Sequence, residues 1–247
     1  MDLQLTGKRA LVTGAGRGIG KAVAQRLSEE GAQVALLARS RDQLDATAAA
    51  LPGPSLVLPA DTTDDAAVRA AVAAVADAWG GVDVLVNAAA RPASSAPVPA
   101  LADLDDDALR VEVETKVLGY LRCARAVAPH MVAAGWGRIV NVSGLNARAT
   151  GNLVGTVRNV AVAAMTANLA EELGPHGVNV TVVHPGRTVT ERTPADVATA
   201  PAATRIGRLV TADEFADVVA FLCSPRSVAV TGDAVAAGGG TPGVAVY

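Results

Sequence analysis

Glycines stand at positions 14, 16, 18 and 20, directly after the apolar run Arg9 to Thr13. Lacking a Cβ, glycine permits a tight turn and a close approach of backbone to a ligand. The residues from Lys21 to Glu30 read as a helix, whose first amide groups have no partner within it and suit a pyrophosphate. Gly14, Gly16, Arg17, Gly18, Ile19 and Gly20 are therefore candidate phosphate-binding residues. The spacing is not G-x-G-x-x-G, so the motif takes its weight from lying between a strand and a helix.

The next strand candidate, Val34 to Ala38, is followed by Arg39. A dinucleotide fold contacts the adenosine ribose there, and a guanidinium in place of an acid suits a ribose phosphate. With Arg17 as a second donor, Arg39 favours NADP(H) over NAD(H); solvated surface charge is the competing reading. Asp61 either reaches the adenine or caps the following helix. Asn87 is placed to hold the end of the fourth strand beside the cofactor.

Acid–base chemistry needs a group whose proton affinity is tuned by its surroundings. Lys116 and Tyr120 are four residues apart and share a helical face. In a poorly solvated crevice Lys116 is a candidate proton donor or anion contact; otherwise it extends to solvent or pairs with Glu112. Tyr120 is either a second acid or a packed core residue. Ser143 has a hydroxyl but no evident base, so hydrogen bonding competes with a nucleophilic role. Arg148, Asn152 and Arg158 are further candidates for the crevice wall, Arg158 as an attractor of a carboxylate. His184 is a lone histidine, and Cys123 and Cys223 are too few for a disulfide framework or metal cluster. No metal site is expected.

The elements that position these groups alternate. Strand candidates at Arg9–Thr13, Val34–Ala38, Leu56–Leu58, Val82–Val86, Arg138–Val142, Val178–Val183 and Ala234–Ala236 are separated by helical stretches, including Leu109–Ala134, Val157–Leu173 and Ala212–Cys223. Such a rhythm predicts an α/β, Rossmann-like, doubly wound, mostly parallel sheet flanked by helices. One domain spans residues 1–247, with an irregular excursion at 189–208 that covers a substrate site and a terminal loop at 238–247 that carries Tyr247. A hydrophobic content of 51% argues against disorder, while 2% aromatics and a net charge of −3 argue against nucleic-acid partners. Without a run of about 18 apolar residues or a basic leader, no membrane association is expected and the cytoplasm is the expected location.

Thr13 to Gly20, Asp61, the turn Asn87–Ala88–Ala89–Ala90, the strand before Ser143, and Pro185–Gly186 followed by Thr190 occur in an order that resembles the short-chain dehydrogenase/reductase family over nearly the whole chain. The resemblance implies that Ser143 positions the substrate oxygen, that Pro185, Gly186, Thr188 and Thr190 lie beside the nicotinamide, and that the protein forms a homodimer or homotetramer. It also implies a tyrosine and, four residues later, a lysine; these positions hold Gly155 and Asn159. The family's asparagine in the preceding helix is replaced by Lys116. A phenol normally protonates the developing alkoxide and an ammonium tunes it, so the proton path must differ. Asn159 retains the capacity to hydrogen-bond a cofactor ribose.

Three functions are compatible with these residues. One is NADP(H)-dependent oxidation or reduction of a small carbonyl or alcohol, with Ser143, Lys116 and Tyr120 or water as its relay. The second is a redox-silent nucleotide-binding or scaffold protein, and the third a non-redox isomerase or cyclase using the same crevice.

Overall fold

The computed structural model describes residues 1–91 and 98–242. Seven parallel strands form one sheet in the order β3-β2-β1-β4-β5-β6-β9. They are β1 (Arg9–Thr13), β2 (Gln33–Ala38), β3 (Ser55–Pro59), β4 (Val84–Asn87), β5 (Gly137–Val142), β6 (Val178–Pro185) and β9 (Ala234–Ala237). Their near-continuous apolar character follows from cover on both faces. One face packs on α1 (Gly18–Glu29) and α8 (Ala212–Cys223), with Val12, Leu36, Val86, Val140 and Phe215 in the shared core. On the other, α3 (Asp65–Trp79), α5 (Gly119–Ala134) and α6 (Leu153–Leu173) cover Leu11, Leu85, Ile139 and Val180. The chain order reverses between β1 and β4, which opens a crevice at the strands' carboxyl ends.

Several boundaries differ from the sequence expectation for local reasons. Helix α1 begins at Gly18, because the glycine turn itself supplies the first helical residues. Helix α6 begins at Leu153, four residues early, because Asn152 caps it by accepting from the Gly155 N–H at 2.8 Å. The predicted helix 109–134 is α4 (Asp106–Glu112), a wide π-helical turn (Val113–Leu118) and α5. β6 runs through Pro185, since β9 pairs with it as far as Pro185–Ala237. Short helix α2 (Arg41–Ala48) follows β2. The 189–208 excursion contains the end of β7 (Thr188–Val189) and α7 (Ala195–Thr199), and β7 pairs with β8 (Val210–Thr211). Of the terminal loop, Gly239 and Gly240 accept backbone hydrogen bonds from Ile206 and Arg205. Tyr247 lies outside the described residues.

Helix α6 and the turn after it, Leu153–His176, are long and apolar enough to cross a membrane by length and composition. Here α6 packs on β6, with Val162, Thr166 and Ala170 buried.

Candidate active site

At the carboxyl end of β1, backbone packing explains the glycines. A Cβ on Gly14 would lie 2.8 Å from the Ala88 carbonyl oxygen, and one on Gly20 would lie 2.3 Å from that of Gly14. Gly14 also adopts φ +69°, a conformation costly for other residues. The Thr13 hydroxyl accepts from the amides of Ala88 and Ala89, at 3.1 Å each, and so fastens the turn after β4 to this loop. Between them the first turn of α1 presents its amides, an arrangement that fits a dinucleotide pyrophosphate. Arg17 and Arg39 are exposed beside the loop and β2, and Arg39 Nη1 stands 3.8 Å from Asp61 Oδ2. The two candidate adenosine-end residues are therefore neighbours.

A cavity of about 850 Å³ extends from Ile19 and Ala88 across the sheet edge to Pro185, Gly186 and Arg187. Its floor brings together Ser143, Lys116 and Asn159. Lys116 sits in the π-helical turn, a widened geometry that re-aims side chains and recurs at functional sites. Its Nζ donates to the Ser143 carbonyl oxygen at 2.8 Å and to Asn159 Oδ1 at 3.2 Å. Ser143 Oγ donates to the Asn159 carbonyl oxygen at 3.2 Å. Burial lowers the Lys116 pKa to about 7; the Arg158 guanidinium pushes the same way and Glu112 opposes it. An ammonium with a pKa near neutrality exchanges protons readily in either direction.

Two sequence expectations are corrected. Tyr120 shares the Lys116 face, but it is fully buried and its hydroxyl donates to the Val142 carbonyl at 2.9 Å. Desolvation drives its pKa up, so its proton is held within the core and it is not an available acid. Asn87 does not face the cavity. Its Nδ2 donates to Asn141 Oδ1 at 3.0 Å and to the Tyr120 carbonyl at 3.3 Å, and Asn141 in turn donates to Thr166. It thus joins β4 to β5 and α5, the structural half of its expected role, while its Oδ1 has no partner among the described residues.

Glu112, noticed in the sequence as a partner for Lys116, pairs instead with Arg158, and its other oxygen lies 3.9 Å from Arg91 Nε. Arg158 and Arg91 line the cavity with Lys116 and Arg187, and among the described residues Asp196 is the one acid on that lining. Arg158 Nε is buried with no acceptor among the described residues. His184 is buried and accepts from the Gly144 N–H through Nδ1 at 3.3 Å; desolvation first, then Arg148 and Lys116, lower its pKa to about 4, which keeps it neutral. Arg148 turns outward, donating to the Ala234 carbonyl at 3.1 Å.

Sequence reasoning missed Asn146. A Cβ on Gly155 would lie 3.0 Å from Asn146 Nδ2 and 3.0 Å from Asn152 Oδ1, so two amides crowd the position where the family pattern has tyrosine. The signal was the pair Asn146 and Asn152 upstream of a glycine in a helix's first turn. Asn146, Arg91 and Arg158 separate the main cavity from a second one of about 860 Å³, lined by Val98, Leu104, Val111 and Gly155.

Residues 8–200 match the family described as short chain dehydrogenase. The chain belongs to the short-chain dehydrogenase family. It is 36% identical to the short-chain reductase protein NovJ of Streptomyces niveus, covering 94% of this chain and 93% of that protein. It is 34% identical to the 3-oxoacyl-[acyl-carrier-protein] reductase FabG of Vibrio cholerae, covering 96% and 98%. Among solved structures, L-sorbose reductase from Gluconobacter frateurii, complexed with NADPH and L-sorbose, superposes with a TM-score of 0.87 at 26% identity over 99% of this chain and all of the other.

Proposed function

We propose that this protein is an NADP(H)-dependent oxidoreductase that interconverts a small carbonyl compound and its alcohol, with Lys116 in place of the usual tyrosine as proton donor. The observation that carries this is the joint location of the Lys116 amine and Ser143 on the cavity floor, beside a glycine cradle that fits a dinucleotide. Gly14, Gly16, Gly18, Ile19 and Gly20 would hold the pyrophosphate, Arg17 and Arg39 the ribose phosphate, Asp61 the adenine end, and Asn159 the inner ribose. Pro185, Gly186, Thr188 and Thr190 would border the nicotinamide, which when bound supplies the hydride. Ser143 Oγ orients the substrate oxygen and Lys116 Nζ gives that oxygen its proton in reduction, or takes it in oxidation. Asp196, Val197 and residues 200–204, which line the cavity, would cover the site.

An anionic substrate is favoured. Arg91, Lys116, Arg158 and Arg187 line the cavity, where Asp196 is the one acid among the described residues, and the Arg158 guanidinium, oriented by Glu112, gives a carboxylate a charged partner. Exposed Val111, Leu153, Val157 and Val160 on α4 and α6 support a homodimer or homotetramer, because a continuous apolar face is costly in water. The cytoplasm is the proposed location.

NADPH oxidation by the purified protein, followed by absorbance against panels of 2-oxo acids, 3-oxo acids and neutral ketones, tests the reading. Turnover with at least one class is expected. Tight NADPH binding with no turnover on any panel would instead support a redox-silent nucleotide-binding protein, the reading favoured by the absence of a phenol at position 155. Substrate conversion with the NADPH absorbance unchanged would support an isomerase or cyclase.

A further inference from the structure

Helix α1 has no cap of its own. Its N-cap residue, Arg17, makes no side-chain cap hydrogen bond, and no acid lies in its first turn. The Gly18 N–H is nevertheless satisfied, by both carboxylate oxygens of Glu191, at 3.0 Å and 3.2 Å, from 173 residues away in sequence. Thr190 lies beside it, with Cγ2 3.8 Å from where a Cβ on Gly18 would stand. No salt bridge to Glu191 is formed among the described residues, so its one protein contact of this kind is the helix end.

A helix N-terminus attracts an anion through its unpaired amides and aligned peptide dipoles. Those are the same donors and the same positive end that the glycine cradle offers a phosphate group. A carboxylate and a phosphate cannot share them, since both are anions and the Gly18 N–H is a single donor. We propose that Glu191 is a phosphate-mimicking latch: it closes the pyrophosphate site of the free protein and is displaced when the dinucleotide enters. This rests on the dinucleotide-binding reading above. The latch sits at the head of the segment whose later residues, Asp196, Val197 and Ala200, line the cavity. Its release therefore couples cofactor entry to the wall that contacts substrate.

The first test is hydrogen exchange at the Gly18 amide in the cofactor-free protein. The wild type protects this amide, Glu191→Ala exposes it, Glu191→Gln, which keeps a neutral acceptor, protects it less than the wild type, and added NADPH restores protection in all three. The second is NADPH affinity by fluorescence titration. Removing a competing carboxylate from a helix N-terminus tightens NADPH binding by about 2- to 5-fold in either variant. Equal Gly18 exchange in wild type and both variants, or an unchanged Kd in both, overturns the latch. If neither wild type nor variants bind NADPH, the dinucleotide reading fails and the latch with it, whereas exposure of Gly18 without a change in Kd removes the latch alone. Glu191 is a surface side chain outside the hydrophobic core, so both variants are expected to fold.

Discussion

Lys116 Nζ donates to Asn159 Oδ1 at 3.2 Å across the floor of the cavity. The resemblance read from the sequence implies the opposite pairing, with the amide at 116 and the amine at 159. Under the proposed register the two residue types have exchanged elements and still meet. The ammonium therefore remains beside Ser143, but it now arrives from the π-helical turn before α5 and no longer has a phenol to tune. An amine whose pKa is lowered by burial and by Arg158 is itself suited to the proton step.

Replacing Lys116 by Met is expected to lower kcat about 10²- to 10⁴-fold while leaving NADPH affinity within about twofold. In the wild type, carbonyl reduction requires the ammonium, so its rate falls as pH rises through about 7, and alcohol oxidation rises over the same range. Stability carries a separate signature. The folded pKa lies below that of an unfolded lysine, so above about pH 7 the unfolded chain binds more protons and wild-type stability rises with pH relative to the Met variant. Chemical denaturation of both proteins at pH 6 and pH 9 measures it; a constant difference would mean that Lys116 is not desolvated in solution.

Placing a tyrosine at 155, where the resemblance implies one, is not expected to produce the usual enzyme. Gly155 is hemmed in by Asn146 Nδ2 and Asn152 Oδ1, and Asn152 also caps α6 through the Gly155 N–H. Gly155→Tyr overpacks this corner and disturbs the cap, which costs about 1–3 kcal/mol in urea unfolding. Adding Asn146→Ala makes room on one side and should recover part of that loss. A Gly155→Tyr variant as stable as the wild type would show that the amides are not constraining.

The order of strands and helices was legible in the sequence because parallel strands buried on both faces are written as short apolar runs, as at Leu36–Leu37 and Val84–Val86. The glycine loop was legible because close backbone contact admits no other residue at Gly14 and Gly20. What could not be read was direction. Lys116 and Tyr120 share a helical face, yet a widened turn sends the lysine to the cavity floor while the tyrosine ends against Val142. Asn146 escaped notice because its importance depends on a glycine nine residues away, and the Glu191 contact depends on a separation of 173 residues.

Cofactor choice should turn on Arg39. Its guanidinium is exposed and only 3.8 Å from the Asp61 carboxylate, so it stays near the end of β2 where a ribose phosphate would displace or share the acid. Arg39→Ala is expected to weaken NADPH about tenfold and leave NADH nearly unchanged. Titration of both nucleotides into both proteins decides this; equal losses for the two would assign Arg39 to the general surface.

Substrate charge should turn on Arg158. Its Nη1 is held by Glu112, which orients a charged guanidinium toward a carboxylate at the wall between the two cavities. A 2-oxo acid is therefore expected to be reduced with kcat/KM at least about tenfold above that of its methyl ester, since a charge-assisted hydrogen bond of this kind exceeds ~1.4 kcal/mol. Arg158→Lys keeps the charge but loses the planar fork, and it should reduce the preference chiefly through KM. Arg158→Gln should abolish the preference and, by removing a repelling cation, raise the pH at which reduction declines. Those two effects separate substrate recognition from simple loss of the Glu112 pair, which would alter stability without distinguishing acid from ester.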